Sequence, residues 1–170
     1  MTDISYIQQR MSAVLDNELL LSPGALPDAI RACEERIGVL LPRSVREALQ
    51  VSDGFDLRDG DGSFLRIYAA AEIAGRTLER RQRWRETECW GDLIEIARSD
   101  ETESTYAVRP SPDGVAESPL FEIWSEGYDE WRSNPPLSIS FGTWLRTVAD
   151  AIATGEHDQV YAKLWLQPPR

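Results

Sequence analysis

The stretch from Leu26 to Phe55 constrains the fold more than any other, because its apolar spacing and its punctuation residues agree with each other. Leu26, Ile30, Cys33 and Ile37 fall at i, i+4, i+7 and i+11, which is one face of a helix. Pro27 suits the first helical position, where a missing N–H costs nothing. Gly38 follows the last apolar residue, where a left-handed residue is wanted. Pro42 then opens a second helix with Val45, Ala48 and Leu49 on its buried edge, and Asp53-Gly54 stops it with a turn pair tolerant of positive φ.

The rest of the chain reads as elements of one domain, the expected size for 170 residues. Ile4, Ile7, Met11, Val14 and Leu15 predict a helix over 3–17, so that residues 1–22 form an N-terminal helical extension packed on the outside. Residues 56–63 read as a polar, glycine-rich loop, and 64–68 as a strand. A short helix is expected from Ala69, ending at Gly75, and residues 76–90 read as either a helix or an irregular segment over a sheet edge. Strands over 93–97 and 105–108 form a hairpin about the acidic turn 100–103, and 120–124 is a third strand after the turn 110–114. Residues 125–139 read as a long polar connection. Ser140 caps a helix whose face carries Phe141, Leu145, Val148 and Ile152, with Trp144 beside it. The core is residues 26–155, and residues 156–170 form a C-terminal tail, either a short helix or an edge strand. Short turns between the central strands predict an α+β fold, an antiparallel β-sheet packed against N-terminal and C-terminal helices.

An amphipathic helix ending Glu34-x-x-Ile37-Gly38-Val39, then Leu41-Pro42, Arg46-x-x-Leu49 and Asp53-Gly54-Phe55, resembles the N-terminal signature of the SUKH superfamily. Phe141, Trp144 and Leu145 are similar to the helix that finishes the core in that family. Where the family often has a Gly-Asp-x-Tyr-like element near the hairpin, this chain has Glu103 followed by Ser104-Thr105-Tyr106. The resemblance implies the same α+β fold. It also implies a binding role, since the superfamily contains a fungal cell-wall assembly regulator and many bacterial immunity proteins.

Charge narrows the partners. Eighteen basic against 29 acidic residues give a net charge of −11, which repels phosphate backbones and disfavours nucleic acid. Such a surface attracts a basic partner and speeds encounter with it. It is equally what keeps many acidic proteins in solution. The six tryptophans argue against disorder. No apolar run approaches the ~20 residues that span a bilayer, and the first residues do not form a secretory signal. Cys33 and Cys89 make neither a disulfide framework nor a ligand pattern, so a cytoplasmic setting is expected.

The chain offers little catalytic chemistry. The chain has one histidine, His157, which excludes a two-histidine metal site within one chain. Cys33 sits on an apolar helix face and reads as core. Cys89 lies between Glu88 and Trp90, where an acidic neighbour raises a thiol pKa. Asp59-Gly60-Asp61-Gly62-Ser63 resembles a calcium loop, but Phe64 and Ala70 stand where such a loop wants Gly and Glu. Arg76, Arg80, Arg81, Arg83 and Arg85 interleave with Glu79, Glu86 and Glu88, the pattern of a salt-bridged helix face. There is no phosphate-binding glycine loop and no nucleophile elbow. We therefore expect no catalytic residue, no metal and no cofactor. An enzyme built on a carboxylate pair is the minor alternative, and no spacing singles out a pair.

What remains is an acidic, aromatic surface. Asp59 and Asp61 in the glycine-rich loop, with Glu126, Tyr128, Asp129 and Trp131 after the third strand, are the expected partner contacts, because aromatic anchors beside charges dominate binding energy. Trp124 and Trp131 are also compatible with a strand end and a core edge. The leading expectation is a monomeric, non-catalytic immunity protein that binds and neutralises a polymorphic toxin, such as a basic nuclease domain. The alternative is a housekeeping module that binds a signalling or cell-wall-related protein. A neighbouring gene for a large secreted toxin separates the two. Gly38, Pro42, Gly54 and their apolar neighbours are expected to be scaffold.

Overall fold

The computed structural model describes residues 3–11, 18–59, 62–83, 92–100, 103–123 and 137–154. The elements in chain order are α1 (Asp3–Met11), β1 (Glu18–Leu21), α2 (Pro27–Ile37), α3 (Arg43–Val51), β2 (Phe55–Asp59), β3 (Gly62–Ile67), α4 (Ala70–Arg83), β4 (Ile94–Ser99), β5 (Thr105–Val108), β6 (Pro119–Ile123), β7 (Leu137–Ser140) and α5 (Phe141–Thr154). The seven strands form one sheet in the order β1-β2-β3-β4-β5-β6-β7, with every neighbouring pair antiparallel. The fold is α+β, as the short turns between the central strands predicted.

Alternation builds the helix-covered side. Phe55, Leu57, Leu65, Ile67, Ile94, Ile96, Tyr106, Val108 and Leu120 join one cluster with Ile30, Cys33 and Ile37 of α2, Val45, Ala48 and Leu49 of α3, and Phe141, Trp144 and Leu145 of α5. Trp144 lies 4.5 Å from Tyr106 and 5.9 Å from Phe141, ring centre to ring centre, so α5 is keyed onto β5 by an aromatic stack. α1 packs on α5, where the Tyr6 hydroxyl donates to Asp150 at 2.8 Å and the Arg10 guanidinium reaches the same carboxylate at 2.6 Å.

The two organising helices form as read. Pro27 occupies the first turn of α2, and Gly38 closes it at φ 75° with its N–H on the Glu34 carbonyl. Pro42 precedes α3 as its cap residue. Gly54 turns the chain at φ 79°, and a Cβ there would meet the Ala69 backbone nitrogen at 2.8 Å. Leu26, expected on the buried face, is instead the exposed cap residue of α2.

Five further expectations are corrected. First, the helix expected over 3–17 is present as α1 over Asp3–Met11, but the extension is neither all helical nor merely outer: Glu18–Leu21 is the edge strand β1, and Ile7 of α1 is fully buried. Leu19 and Leu21 lie beside buried Leu57 and Phe55 across the ladder, a partnership that a helix over these residues would forgo. Second, residues 56–59 are strand and not loop, with Leu57 fully buried between Asp56 and Arg58. Third, Ser140 ends a strand that begins at Leu137, inside the stretch read as a polar connection. Its hydroxyl still accepts the Thr143 N–H, at 3.3 Å, as the cap of α5. Fourth, α4 does not stop at Gly75 but runs to Arg83, because its packing on α2 outweighs the glycine. Fifth, β4 starts at Ile94 and reaches Ser99, two residues beyond the expected strand.

Candidate functional site

The residues expected to contact a partner fall mostly outside the described ones. Glu126, Tyr128, Asp129 and Trp131 follow β6, and Asp61 sits between β2 and β3; all five lie outside the described residues. Asp59 is the last residue of β2, paired with Gly62 across the hairpin. His157 and Cys89 are also outside. What the sheet does fix is where these segments leave it. Because the strands alternate in direction in chain order, the ends of β2, β4 and β6 and the starts of β3, β5 and β7 share one end of the sheet. The hairpin turn at Asp59/Gly62 and the chain ends at Ile123 and Leu137 therefore belong to the same rim, separated by the three strand spacings from β3 to β6, about 14 Å.

The signature segment is bound inward. The Glu34 carboxylate accepts the Leu41 N–H at 2.8 Å and the Arg46 guanidinium at 2.7 Å, with Glu34 buried. Arg46 in turn lies against Gly114 in the turn before β6: a Cβ at Gly114, which has φ 71°, would come within 2.7 Å of the guanidinium. Glu117 of that same turn accepts both the Ser44 N–H and the Ser44 hydroxyl, at 3.0 and 2.6 Å, and so closes the first turn of α3. The Ser111 N–H bonds the Leu40 carbonyl at 2.9 Å. Asp113 holds the turn by accepting the N–H groups of Val115 and Ala116 and the Ser111 hydroxyl, which keeps its carboxyl below the usual carboxylate range.

The other buried charges are bound inward as well. Glu95, with its side chain 1% exposed, pairs with Arg80 at 3.0 Å, and its N–H donates to Thr77. Glu122 accepts the Tyr106 hydroxyl at 3.2 Å. The Arg81 guanidinium donates to the Ile37 carbonyl at 2.8 Å, at the C-terminal end of α2. Burial pushes the Cys33 thiol up to about 11, with the Glu34 carboxylate adding to the effect, so this cysteine is protonated core. Among the described residues no three ligating side chains gather around a common point.

One open concavity stands apart from these packed contacts. A groove of about 310 Å³ lies where β1, β2 and β3 meet the start of α4. Leu20, Asp56 and Arg66 form one row across the three strands, on the side away from buried Leu57 and Leu65. Asp53, Gly54, Ala69 and Glu72 close the end of the groove. Glu72 takes the Arg66 guanidinium at 2.7 Å and the Ala69 N–H at 3.2 Å, and Asp53 takes the Ala70 N–H at 2.8 Å. Carboxylates thus occupy the N–H groups of Ala69, just before α4, and of Ala70, its first residue. Sequence reasoning missed this place because it read 56–63 as loop. The signal was the alternation Phe55-Asp56-Leu57-Arg58, which sends Asp56 outward.

No protein-family model matches the chain, and no curated protein matches it in sequence.

Proposed function

We propose that the chain is a non-catalytic, SUKH-type protein-binding domain, an immunity protein that binds and neutralises a toxin domain with a basic surface. The observation that carries this reading is the acidity: a net charge of −11, with only three carboxylates buried among the described residues, Glu34 and Glu95 against arginines and Glu122 against the Tyr106 hydroxyl. Two further features support it. The residues that resemble the family signature hold α2, α3 and the turn before β6 together, which is scaffold work and leaves the partner surface elsewhere. The segments carrying Asp59, Asp61, Glu126, Tyr128, Asp129 and Trp131 leave the sheet at one rim, the arrangement a single contact surface needs. In this reading an acidic rim covers the phosphate-binding face of a basic nuclease, denying it substrate by occupancy.

The test is capture of the partner from native lysate, followed by stopped-flow association with the captured protein at increasing salt. A basic domain bound one to one, with a rate that falls as salt screens the encounter, is expected. Retention of an acidic or neutral protein, or a rate indifferent to ionic strength, would sink the reading. Asp59→Lys with Asp129→Lys is expected to slow association at least about tenfold, the scale of electrostatic steering.

A further inference from the structure

We propose that the groove beside β1 docks an extended lysine- or arginine-bearing segment of a partner protein. The inference rests on the reading of this chain as a receptor for a basic protein, and adds a surface and a recognition chemistry to it. Four observations carry it. The face is uncovered: Leu20 is 41% exposed, while its neighbours Leu19 and Leu21 pack on the core. A leucine held outward in a sheet row beside a carboxylate is a shelf for the aliphatic stem of a basic side chain, whose head then reaches the acid. The lining carries three carboxylates, Asp53, Asp56 and Glu72, against the single cation Arg66, so its net charge is −2 and it repels phosphate or carboxylate ligands.

Acceptor capacity is also unspent. Glu72 is committed to Arg66 and Ala69, but Asp53 uses only Oδ1, on Ala70, and Asp56 has only a long 3.4 Å contact with Arg58. Finally, among the described residues β1 is the outermost strand of the sheet on that side, with β2 as its pairing partner. An added strand along that edge would supply backbone pairing and deliver alternate side chains to the groove.

The experiment is a titration of the full-length isotope-labelled chain with a synthetic peptide, Lys-Val-Lys-Val-Arg-Val-Lys, followed by amide chemical shifts. Shifts confined to residues 18–22, 53–56, 66 and 72 are expected. Asp56→Lys should weaken binding at least about tenfold, and Leu20→Asn severalfold, the latter with unchanged melting since the Leu20 side chain faces outward. Glu35→Lys on α2, whose side chain is 72% exposed and is not part of the groove lining, makes the same change in net charge and should leave affinity within about twofold. Equal weakening by Asp56→Lys and Glu35→Lys, or shifts centred on the rim at Asp59, would overturn the groove while leaving a basic partner in place. No shift anywhere, alongside a captured partner that is not basic, would remove both the groove and the reading beneath it.

Discussion

Glu34 is the residue on which the signature segment turns. Its carboxylate serves a buried backbone N–H and a guanidinium at once, so removing it orphans two donors. Glu34→Ala is expected to cost about 3 kcal/mol, measured by urea denaturation. Combined with Arg46→Ala, the losses should fall well short of additive, because the two changes break one interaction. Cys33 makes a second residue-scale prediction. With its thiol pushed up to about 11, it should resist alkylation at pH 8 in a Cys89→Ser background and react only once the chain unfolds. Tyr68 supplies the pH test. Burial, with the Glu95 carboxylate adding to it, raises its phenol from 10.0 to about 12. Because the folded value lies above the unfolded one, the neutral phenol's contribution is fully present below pH 10 and is lost as pH rises through about 12. Ultraviolet titration of the chain against a Tyr68→Phe variant should show that the variant loses one late-ionising phenol, whose ionisation in the parent chain accompanies loss of structure. A phenol at pH 10 in the folded chain would contradict its burial.

At the scale of elements, the helices were more legible than the sheet edges. α2 and α3 carry their starts and stops in Pro27, Gly38, Pro42 and Gly54, all local signals. β1 carries none, since Leu19-Leu20-Leu21 suits a helix as well as a strand. Only β2, far along the chain, makes it a strand. β2 itself was obscured by its three charged residues, because composition pointed to a loop while period-two alternation around Leu57 pointed to a strand. The expected contact residues were chosen from composition, and most lie outside the described residues. The groove residues were missed because β1, β2, β3 and α4 assemble it from far apart in sequence. Gly75 misled in the opposite way, as a stop signal that α4 ignores. A Cβ at Gly75 would meet nothing within 4 Å, so Gly75→Ala should stabilise the chain by about 0.5–1 kcal/mol in the same urea assay. Leu57→Ala, in a fully buried strand position, should cost about 3 kcal/mol.

For the whole molecule, a net charge of −11 is a self-repulsion that folding must overcome. Added sodium chloride screens it over a Debye length of about 8 Å near physiological strength, so the melting temperature should rise with salt while association with a basic partner slows. The strand order has a separate consequence. The β2–β3, β4–β5 and β5–β6 pairs close across short connections that cost little entropy, whereas β1–β2 must close around α2 and α3, and β3–β4 around α4. The contact of α1 with α5 reaches much further, since Tyr6 meets Asp150 across 144 positions. That clasp can close only after both flanks exist. It is the natural last step of assembly and the first to release, so amide protons of α1 should exchange with solvent long before those of β4 and β5.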